Sequence, residues 1–398
     1  MKRYGPYILV GIAQVLFLTV AFLAGYVVRA EYADDTQPLS LLGISSPGQY
    51  PILDQIKSLL ASHYIGKLPD DTALEYGAAH GLVAAVGDPY TVFVEPPAHE
   101  AETQSLAGEY GGIGVVLSQT ATGEYVLSPY LGSPAAAGGV LEGDVLLSVD
   151  NTAILTSTTA DQITNLVRGP IGSLVKLTVR HKTGQTATLS ITRQAIEIPS
   201  VTFKMVDDHP DIGLIAISRF SEKTPDELNQ ALTQLKSQGA QKYILDLRDN
   251  GGGILESAVS VASNFLDGGV VMYESQRDGP EKTYSATPPA SGVITAALAV
   301  LVNHNTASAA EIVAGALLDR NRAPLIGQTT YGKGSVQLVY DLSDGSSLHV
   351  TAYHWFTPTH RALEGNGLPP TYPVDPPTQG GPDPAMVVAL QYLSGATK

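Results

Sequence analysis

The sequence contains no cysteine, and this absence removes several kinds of chemistry at once. Without thiols the chain has no disulfide, no cysteine nucleophile and no cysteine-ligated zinc. Charged residues make up only 15% of the 398 positions, and the 23 basic residues are outnumbered by 38 acidic ones. Because affinity for nucleic acid depends mainly on basic side chains, the net charge of -15 argues against a nucleic-acid partner. A hydrophobic content of 44% predicts two or three folded domains.

Two common catalytic motifs are also missing. No Gly-x-Ser-x-Gly turn occurs and His304 has no evident acid partner, so a Ser-His-Asp hydrolase is not favoured. No His-Glu-x-x-His occurs, which leaves a zinc peptidase unsupported. Ser173 and Lys176 superficially match a β-lactamase motif, but residues three apart on a strand face opposite sides.

The long apolar run is residues 7–28, which contains no charge and has about the length that a bilayer-spanning helix needs. Lys2 and Arg3 precede the run and Glu31 follows it. The positive-inside bias therefore predicts a single-pass membrane anchor with the body outside the cytoplasm, periplasmic or extracellular. A cleaved signal peptide is the alternative, and it exports the body as well.

Composition and periodicity predict a multidomain α/β protein. Residues 1–30 are the expected cytoplasmic tip and transmembrane anchor, and residues 31–49, rich in Ser, Pro and Gly, are a linker. Apolar residues at helical spacing predict a small helical cap region at 50–107, and short alternating runs predict a β-rich domain at 108–195. In residues 196–398 strands and helices alternate, which predicts an α/β core with active groups at the carboxyl ends of strands.

One helix of this core has clear predicted ends. Thr224 can cap its start, Pro225 suits the first turn, and Glu227 completes a capping box. Near the C-terminus, residues 384–393 form a second apolar helical stretch.

Ser308 lies where an apolar strand, residues 297–302, turns into a helix of small residues. Backbone N–H groups at the start of a helix are unpaired and can stabilise a developing oxyanion, so Ser308 is a candidate nucleophile. The alternative is that its hydroxyl only caps the helix.

Lys333 is the candidate general base. Gly332 and Gly334 flank it and let the backbone pack closely. A base must be neutral, which requires burial to lower the lysine pKa by about 3, at a cost of roughly 4 kcal/mol. Gln337 lies on the same face of the predicted strand and can orient the amine. The alternative is a solvated surface lysine.

Three glycines, residues 251–253, follow the buried strand at 243–247. They permit a tight turn with exposed amides, which suits an oxyanion hole, and equally a phosphate site or a simple turn.

Taken in order, these segments resemble the motifs of the C-terminal processing peptidases, also called tail-specific proteases, of peptidase family S41. Residues 246–253 resemble the family's DLRxNPGG element, the segment around Ser308 its SASASE-like nucleophile motif, and residues 332–337 its GKGxxQ motif. Ser308 and Lys333 are 25 positions apart, as in that family. The resemblance extends from about residue 50 to the C-terminus and implies a serine endopeptidase with a core related to the crotonase and Clp-protease folds.

The resemblance also implies the roles of the site residues. Ser308 and Lys333 form a Ser/Lys dyad that needs no metal or organic cofactor, and Gln337 is the partner of the lysine. The oxyanion hole is implied to be the Ala309 N–H with an amide of Gly252 or Gly253.

The β-rich region resembles a PDZ domain of the same family. Its loop and first strand, which receive a peptide carboxylate, match Gly112, Ile113, Gly114 and Val115. Arg168 lies where the family has an arginine that couples substrate capture to protease opening; the alternative is a solvated helix-end cation. The implied partners are proteins with unstructured, apolar C-termini and a second copy of the chain.

The implied homodimer uses the terminal helices, with residues 384–393 as a candidate, although an amphipathic tail more often packs on its own core. The sequence departs from the family's motifs at five positions without losing a reacting group: Asn305, Thr306, Ala310, Gly251 and Thr371. A membrane-tethered PDZ scaffold with weak or no catalysis is the alternative function. Retention of Ser308, Lys333 and Gln337 together speaks against it, because a binding module needs none of them.

Overall fold

The computed structural model describes residues 50–276, 279–376 and 381–395. The predicted anchor at 7–28 and the predicted linker lie outside these residues. The chain divides into two compact units, residues 1–81 and 82–398. Within the described ranges, no helix is long and apolar enough to cross a membrane.

The described secondary structure agrees with the predicted alternation of helical, β-rich and mixed regions. The helices are α1 (Pro51–His63), α2 (Asp71–Ala84), α3 (Pro96–Leu106), α4 (Pro134–Ala137), α5 (Ala160–Val167), α6 (Thr224–Ser237), α7 (Leu255–Ser263), α8 (Ala309–Asp319) and α9 (Pro384–Leu393). The strands are β1 (Val92–Val94), β2 (Glu109–Gly112), β3 (Val115–Gln119), β4 (Tyr125–Pro129), β5 (Asp144–Val149), β6 (Thr152–Ala153), β7 (Leu174–Arg180), β8 (Thr186–Thr192), β9 (Gln194–Glu197), β10 (Val201–Val206), β11 (His209–Ile217), β12 (Lys242–Asp246), β13 (Val270–Ser275), β14 (Lys282–Ser285), β15 (Ala297–Val302), β16 (Leu325–Gly327), β17 (Ser335–Asp341), β18 (Ser347–Phe356) and β19 (Tyr372–Pro373).

The β-rich region is one sheet with two short helices. Its strand order is β3-β4-β5-β7-β8, and β6 pairs with β5. Alternate side chains of these strands, among them Leu127, Leu177 and Ile191, form a core with Ile163 of α5. The strands β2 and β9 pair at the two ends of the region, where it joins the rest of the chain.

The mixed region contains a six-stranded sheet in the order β10-β11-β12-β15-β16-β19, parallel from β11 to β19. Helices cover both faces, so its central strands are apolar throughout. In β12, for example, Leu245 packs in the cluster that contains residues of α6, α7 and α8, whereas Ile244 packs with Ala389 of α9. This arrangement confirms the predicted α/β core.

A second sheet contains β1-β18-β13-β14, with β17 also paired to β18. Residues 92–94 lie in the predicted helical cap region at 50–107. They form the strand β1 instead and pair with residues 347–349 of β18. Three residues are too few to show a periodicity, and the strand depends on a partner far along the chain.

The predicted capping box at Glu227 is wrong. The residue before α6 is Lys223, and no side chain caps the helix. The Glu227 Oε2 atom instead accepts hydrogen bonds from the Ser200 N–H (2.7 Å), the Ser200 hydroxyl (2.6 Å) and the Val201 N–H (3.0 Å). A neighbouring strand thus offers this carboxylate more donors than the start of its own helix does.

The helix α9 spans the predicted residues and begins at a side-chain cap. Asp383 accepts hydrogen bonds from the N–H groups of Ala385 (3.1 Å) and Met386 (3.2 Å). Ala385, Ala389 and Leu393 are buried against the six-stranded sheet. The C-terminal helix therefore packs on its own core, the alternative that the sequence left open.

Candidate active site

Ser308 lies in the turn between β15 and α8, half-buried, with φ 54° and ψ -120°. A non-glycine residue in such a conformation costs about 1–3 kcal/mol, so the surroundings must hold it there. The Ser308 N–H donates to Glu311 Oε2 at 2.9 Å. Helix α8 starts at the next residue, Ala309, so its first N–H lies beside the serine.

The turn that carries Ser308 is hydrogen-bonded to the glycine turn after β12. The Thr306 hydroxyl donates to the Leu247 carbonyl at 2.9 Å, and the Asn305 amide donates to Asp249 Oδ1 at 2.9 Å. The bond from Asn305 is the largest of several effects that lower the pKa of Asp249. Thr306 and Asn305 are two of the departures from the family motif, and here they join the two turns.

Arg248 attaches the same glycine turn to the C-terminal helix. Its guanidinium forms two hydrogen bonds to Asp246, at 2.9 and 2.6 Å, and one to Asp383 at 2.7 Å. Asp383 is the residue that caps α9. Bidentate, charge-assisted bonds of this kind fix geometry as well as add stability.

The three glycines have different surroundings. A Cβ on Gly252, where φ is +107°, would lie 2.8 Å from the Cβ of Ser308, so only glycine permits this close approach. The Gly252 N–H donates to Asn250 Oδ1 at 2.9 Å. Gly253 lines the same cavity as Ser308 and Ala309. Of the two amides proposed for an oxyanion hole, the one on Gly253 is therefore the better placed to meet a substrate.

The backbone of Lys333 is fixed on both sides. Its N–H donates to Glu311 Oε2 at 2.9 Å, and its carbonyl accepts from Trp355 Nε1 at 2.9 Å. A Cβ on Gly332 would lie 2.6 Å from the Gly367 nitrogen, and one on Gly334 would lie 2.7 Å from the nitrogen of Glu364. The predicted close backbone packing around the lysine is confirmed.

The Lys333 ammonium is half-buried, and burial lowers its pKa. The carboxylates of Glu364, Glu102 and Asp88 act in the opposite direction, but burial is the largest effect and the net shift is downward. The ammonium lies 5.2 Å from the centre of the Tyr90 ring. It forms no hydrogen bond or ion pair within the described part of the chain. Burial also raises the pKa of the Tyr90 hydroxyl, to about 12.

Gln337 lies on β17, close to the dyad but hydrogen-bonded elsewhere. Its amide donates to the hydroxyls of Ser335 (3.1 Å) and Thr351 (3.2 Å). In this arrangement it makes no hydrogen bond to Lys333.

A single cavity of about 580 Å³ brings most of the predicted residues together. Five of them line it: Ser308, Ala309, Gly253, Lys333 and Gln337. A second cavity, of about 340 Å³, is lined by Arg248 and Asp383 and contains none of these five. We therefore place the candidate active site in the larger cavity.

Glu311 is a residue of the site that the sequence did not predict. It is fully buried, and its carboxylate accepts four hydrogen bonds. Oε2 accepts the N–H groups of Ser308 and Lys333, while Oε1 accepts the Gly332 N–H at 2.8 Å and the Thr330 hydroxyl. One carboxylate thus joins the backbones of the serine and the lysine. An acidic residue among the apolar residues that begin this helix is the signal that could have pointed to it.

The predicted peptide-binding residues lie at one edge of the β-rich sheet. Gly112 ends β2 and Val115 begins β3, while Ile113 is buried in the core between them. Gly114 has φ +70°, and a Cβ on it would lie 2.7 Å from the Cβ of Ser133. Among the described strands, β3 pairs only with β4, so its other edge is available to a further strand.

Arg168 lies outside the cavity, at the end of α5. Its guanidinium carbon is 4.4 Å from the centre of the Tyr110 ring on β2. The Gly169 N–H donates to the Gly111 carbonyl at 3.1 Å, which holds the two segments together. Arg168 therefore lies where the β-rich region joins the core.

Comparison with known proteins identifies both regions. Residues 211–374 match the model of peptidase family S41, and residues 125–181 match a PDZ domain. The chain is 35% identical over 299 residues to the carboxyl-terminal-processing protease of a Picosynechococcus species, covering 74% of this chain and 72% of that protein.

Two further similarities are weaker in coverage or identity. Carboxyl-terminal-processing peptidase 2 of Arabidopsis thaliana, a chloroplastic protein, is 35% identical over 311 residues, and the match spans 75% of this chain but 60% of the relative. A solved structure of a Bacteroides fragilis protein assigned to the S41 proteases is 16% identical, covers 89% of this chain and 100% of that one, and shares the fold with a TM-score of 0.51. The chain therefore belongs to peptidase family S41, with the carboxyl-terminal-processing proteases, and is a serine-type peptidase with a PDZ domain.

Proposed function

We propose that the chain is an endopeptidase that cleaves proteins near their C-termini with a Ser/Lys dyad, Ser308 as nucleophile and Lys333 as general base. The observation that carries this proposal is the shared cavity of about 580 Å³, which both side chains line. The common attachment of both backbones to Glu311 supports it, because a fixed distance between nucleophile and base is what proton transfer requires.

The chemistry follows from the two groups. Neutral Lys333 takes the hydroxyl proton as Ser308 Oγ attacks the carbonyl carbon of the peptide bond. The N–H groups of Ala309 and Gly253 stabilise the oxyanion of the tetrahedral intermediate. The protonated lysine then gives its proton to the leaving amine, and water activated by the same lysine releases the acyl group. No metal or organic cofactor takes part in these steps.

In this proposal, the observed positions of the Lys333 and Gln337 side chains belong to an inactive state of the enzyme. The lysine ammonium lies against the Tyr90 ring, and the Gln337 amide is bonded to Ser335 and Thr351. Catalysis requires the neutral Lys333 amine to turn towards Ser308 and the Gln337 amide to turn towards the lysine. Both side chains already line the cavity in which these movements take place.

The PDZ domain supplies the substrate in this proposal. An unstructured, apolar C-terminus adds as a strand to the edge of β3, and backbone amides of Gly112, Ile113 and Gly114 hold its carboxylate. The free edge of β3 supports this mode of binding. Arg168 couples capture to the protease core through its contact with Tyr110.

Residues 7–28 anchor the protein in the cell membrane with the body outside the cytoplasm, as the apolar run and its flanking charges indicate. Resistance of the full chain to alkaline extraction from membranes tests the anchor. A homodimer uses the outer face of α9, where Val387 is 42% exposed, because the inner face is buried. Sedimentation of the purified protein tests the dimer.

The dyad is tested by cleavage of an unstructured protein with an apolar C-terminus. We expect Ser308→Ala and Lys333→Ala each to reduce kcat by about 10³-fold or more, while binding of a C-terminal peptide is unchanged. We also expect kcat/KM to rise with pH, since the lysine must be neutral, with a midpoint below 10.5, because burial lowers the pKa of Lys333.

Lys282→Ala is the matched control, because this lysine lines the same cavity, is exposed and has no role in the proposed chemistry. It should cleave at the rate of the unchanged protein. Full turnover by Ser308→Ala or Lys333→Ala contradicts the dyad. Tail binding without cleavage by the unchanged protein supports the scaffold alternative instead.

A further inference from the structure

Three potential metal ligands meet at the wall of the active-site cavity. His99 and Glu102 are three residues apart on α3 and so share one face of that helix. His349 comes from β18. One ligand atom from each of the three lies within 4.8 Å of the other two. The dyad chemistry uses none of these side chains.

Two of the ring nitrogens in this cluster are buried without a hydrogen-bond partner in the described residues: His99 Nδ1 and His349 Nε2. His349 is only 9% exposed. Its Nε2 lies 3.4 Å from Glu102 Oε2, but the pair does not meet the criteria for a hydrogen bond. Buried polar atoms are nearly always paired, so these two unpaired nitrogens require an explanation.

The hydrogen bond made by the second ring nitrogen of His99, Nε2, suits a role of this histidine as a metal ligand. Its Nε2 is 2.9 Å from Asp341 Oδ1, and an N–H donated to this carboxylate leaves the lone pair on Nδ1. Metal-binding histidines usually make such a bond with the nitrogen that does not bind the metal, because it fixes the tautomer and the ring orientation.

One of the ligand–ligand distances and the donor types suit a zinc-like ion. Zinc bonds of about 2.0–2.2 Å at tetrahedral angles place neighbouring ligand atoms about 3.3–3.6 Å apart. The 3.4 Å between His349 Nε2 and Glu102 Oε2 falls in this range. Two imidazoles with one carboxylate suit zinc and its neighbours among the transition metals, whereas calcium and magnesium prefer oxygen ligands alone.

We propose that His99, Glu102 and His349 bind a divalent transition-metal ion, zinc in particular, and that the bound ion reversibly inhibits the peptidase. Glu102 and His349 line the cavity that contains Ser308 and Lys333. Three protein ligands leave the fourth position of a tetrahedral ion open. A metal with its water at this wall occupies space that a substrate needs.

The ion also joins two elements of the fold. It fastens α3 to β18, and α3 leads directly into the PDZ domain. Gln104 of α3 accepts the N–H of Gly111 at 2.9 Å, and the Leu106 carbonyl accepts the N–H of Glu222 at 2.9 Å. Metal binding therefore stabilises the fold and restrains the helix between the PDZ domain and the catalytic cavity.

The metal site is tested with zinc alone on the full chain, purified without a histidine tag and freed of metal with a chelator. We expect one zinc ion per chain, a higher Tm with zinc and, with cobalt, the intense visible absorption of a tetrahedral site. His99→Ala, Glu102→Gln and His349→Ala should each remove this binding. Asp341→Asn should weaken it by about 10- to 100-fold. This aspartate side chain is 84% exposed, so its replacement leaves folding intact.

His360→Ala is the matched control, because His360 Nε2 lies 3.2 Å from Glu281 Oε1 and no third ligand joins them among the described residues. It should bind zinc as the unchanged protein does. The metal site is overturned if the unchanged protein does not bind zinc. It is also overturned if His349→Ala and Asp341→Asn both bind zinc as tightly as the unchanged protein does.

The inhibitory part rests on the proposed peptidase function, whereas metal binding does not. We expect zinc to inhibit the unchanged protein reversibly and to leave His99→Ala active. Zinc that binds to an active enzyme without inhibiting it overturns the inhibitory role alone. If the unchanged protein binds zinc but cleaves no substrate, the metal site stands and the proposed function is overturned.

Discussion

Glu311 holds a charge where no solvent reaches it, and its four hydrogen-bond donors are what make this burial possible. Two of the donors are the backbone N–H groups of Ser308 and Lys333. The strained φ of Ser308 and the position of Lys333 therefore depend on the same carboxylate. A buried charge of this kind is costly when its partners are removed, and a change in it affects both reacting groups together.

We predict that Glu311→Gln impairs both stability and catalysis. The amide keeps the size of the side chain but replaces one accepting oxygen with an NH₂ group that faces N–H donors. Each buried donor left without a partner costs about 1–3 kcal/mol, so the free energy of unfolding should fall by about 2–5 kcal/mol. A displacement of the dyad by about 1 Å lowers kcat by about 10²-fold. Urea unfolding and steady-state kinetics measure the two effects.

Glu256→Gln serves as the control, because Glu256 lines the same cavity but is exposed. It should change neither quantity measurably. A stable and fully active Glu311→Gln would show that the two backbones are held by other contacts.

Single residues were predictable where a motif carries them and not where a role depends on distant packing. The order and spacing of the motifs were sufficient to select Ser308 and Lys333 as candidates. The hydrogen bond that occupies the Gly252 N–H involves a side chain two positions away, whose orientation the sequence does not reveal. The cluster of His99, Glu102 and His349 joins two elements that are far apart in the chain, and no local pattern indicates it.

Among the elements, the glycine turn after β12 and the turn before α8 form one structure. They are joined by the bonds of Thr306 and Asn305, and Arg248 fastens the glycine turn to α9. At their closest approach the Gly252 backbone lies against Ser308, with no room for a side chain. This packing places the glycine turn directly beside the candidate nucleophile.

We predict that Gly252→Ala is harmful and that Gly251→Ala is not. The added methyl group on Gly252 would meet Ser308 at 2.8 Å, and the residue would have to keep a φ of +107°. A left-handed conformation costs an L-residue about 1–2 kcal/mol, and the clash adds to it. Ser308 should be displaced and kcat should fall by about 10²-fold.

The neighbouring glycine is the matched control, because a Cβ on Gly251 meets nothing within 4 Å. Gly251→Ala should retain its Tm and its activity within about twofold, as expected of a surface substitution. Equal behaviour of the two variants would contradict the proposed close packing against Ser308. The Tm and kcat/KM of both variants decide the matter.

The elements themselves followed the sequence where a periodic pattern was long enough. The strands β12 and β15 were predicted because consecutive apolar residues fill both faces of a covered sheet. β1 was missed because three residues carry no period, and its pairing with β18 is non-local. Glu227 was assigned to its own helix because local rules cannot foresee that Ser200 lies beside it.

At the scale of the whole molecule, the short strands β2 and β9 and the helix α3 join the PDZ domain to the protease core. The polar contacts here include the ion pairs of Lys223 with Glu109 (3.0 Å) and with Glu197 (2.8 Å). Partly exposed ion pairs of this kind contribute little to stability. These ion pairs therefore add little to what the hydrogen bonds between β2 and β9 already hold together.

We predict that Arg168→Ala weakens the link between tail capture and cleavage without affecting the chemistry itself. Arg168 is exposed and contacts the Tyr110 ring, and a cation–π contact at such a site contributes about 0.5–1 kcal/mol. The rate of cleavage of a protein with an apolar tail should therefore fall only about two- to fivefold, while a short peptide that does not engage the PDZ domain is cleaved at the normal rate.

Arg180→Ala is the control, because Arg180 lies in the same domain and pairs with Glu124 away from the connection. If both variants lower the rate of cleavage of the tailed protein equally, Arg168 acts on the stability of the domain. If Arg168→Ala also lowers the rate of cleavage of the short peptide, Arg168 acts on the active site. Either result contradicts a role in the coupling between them.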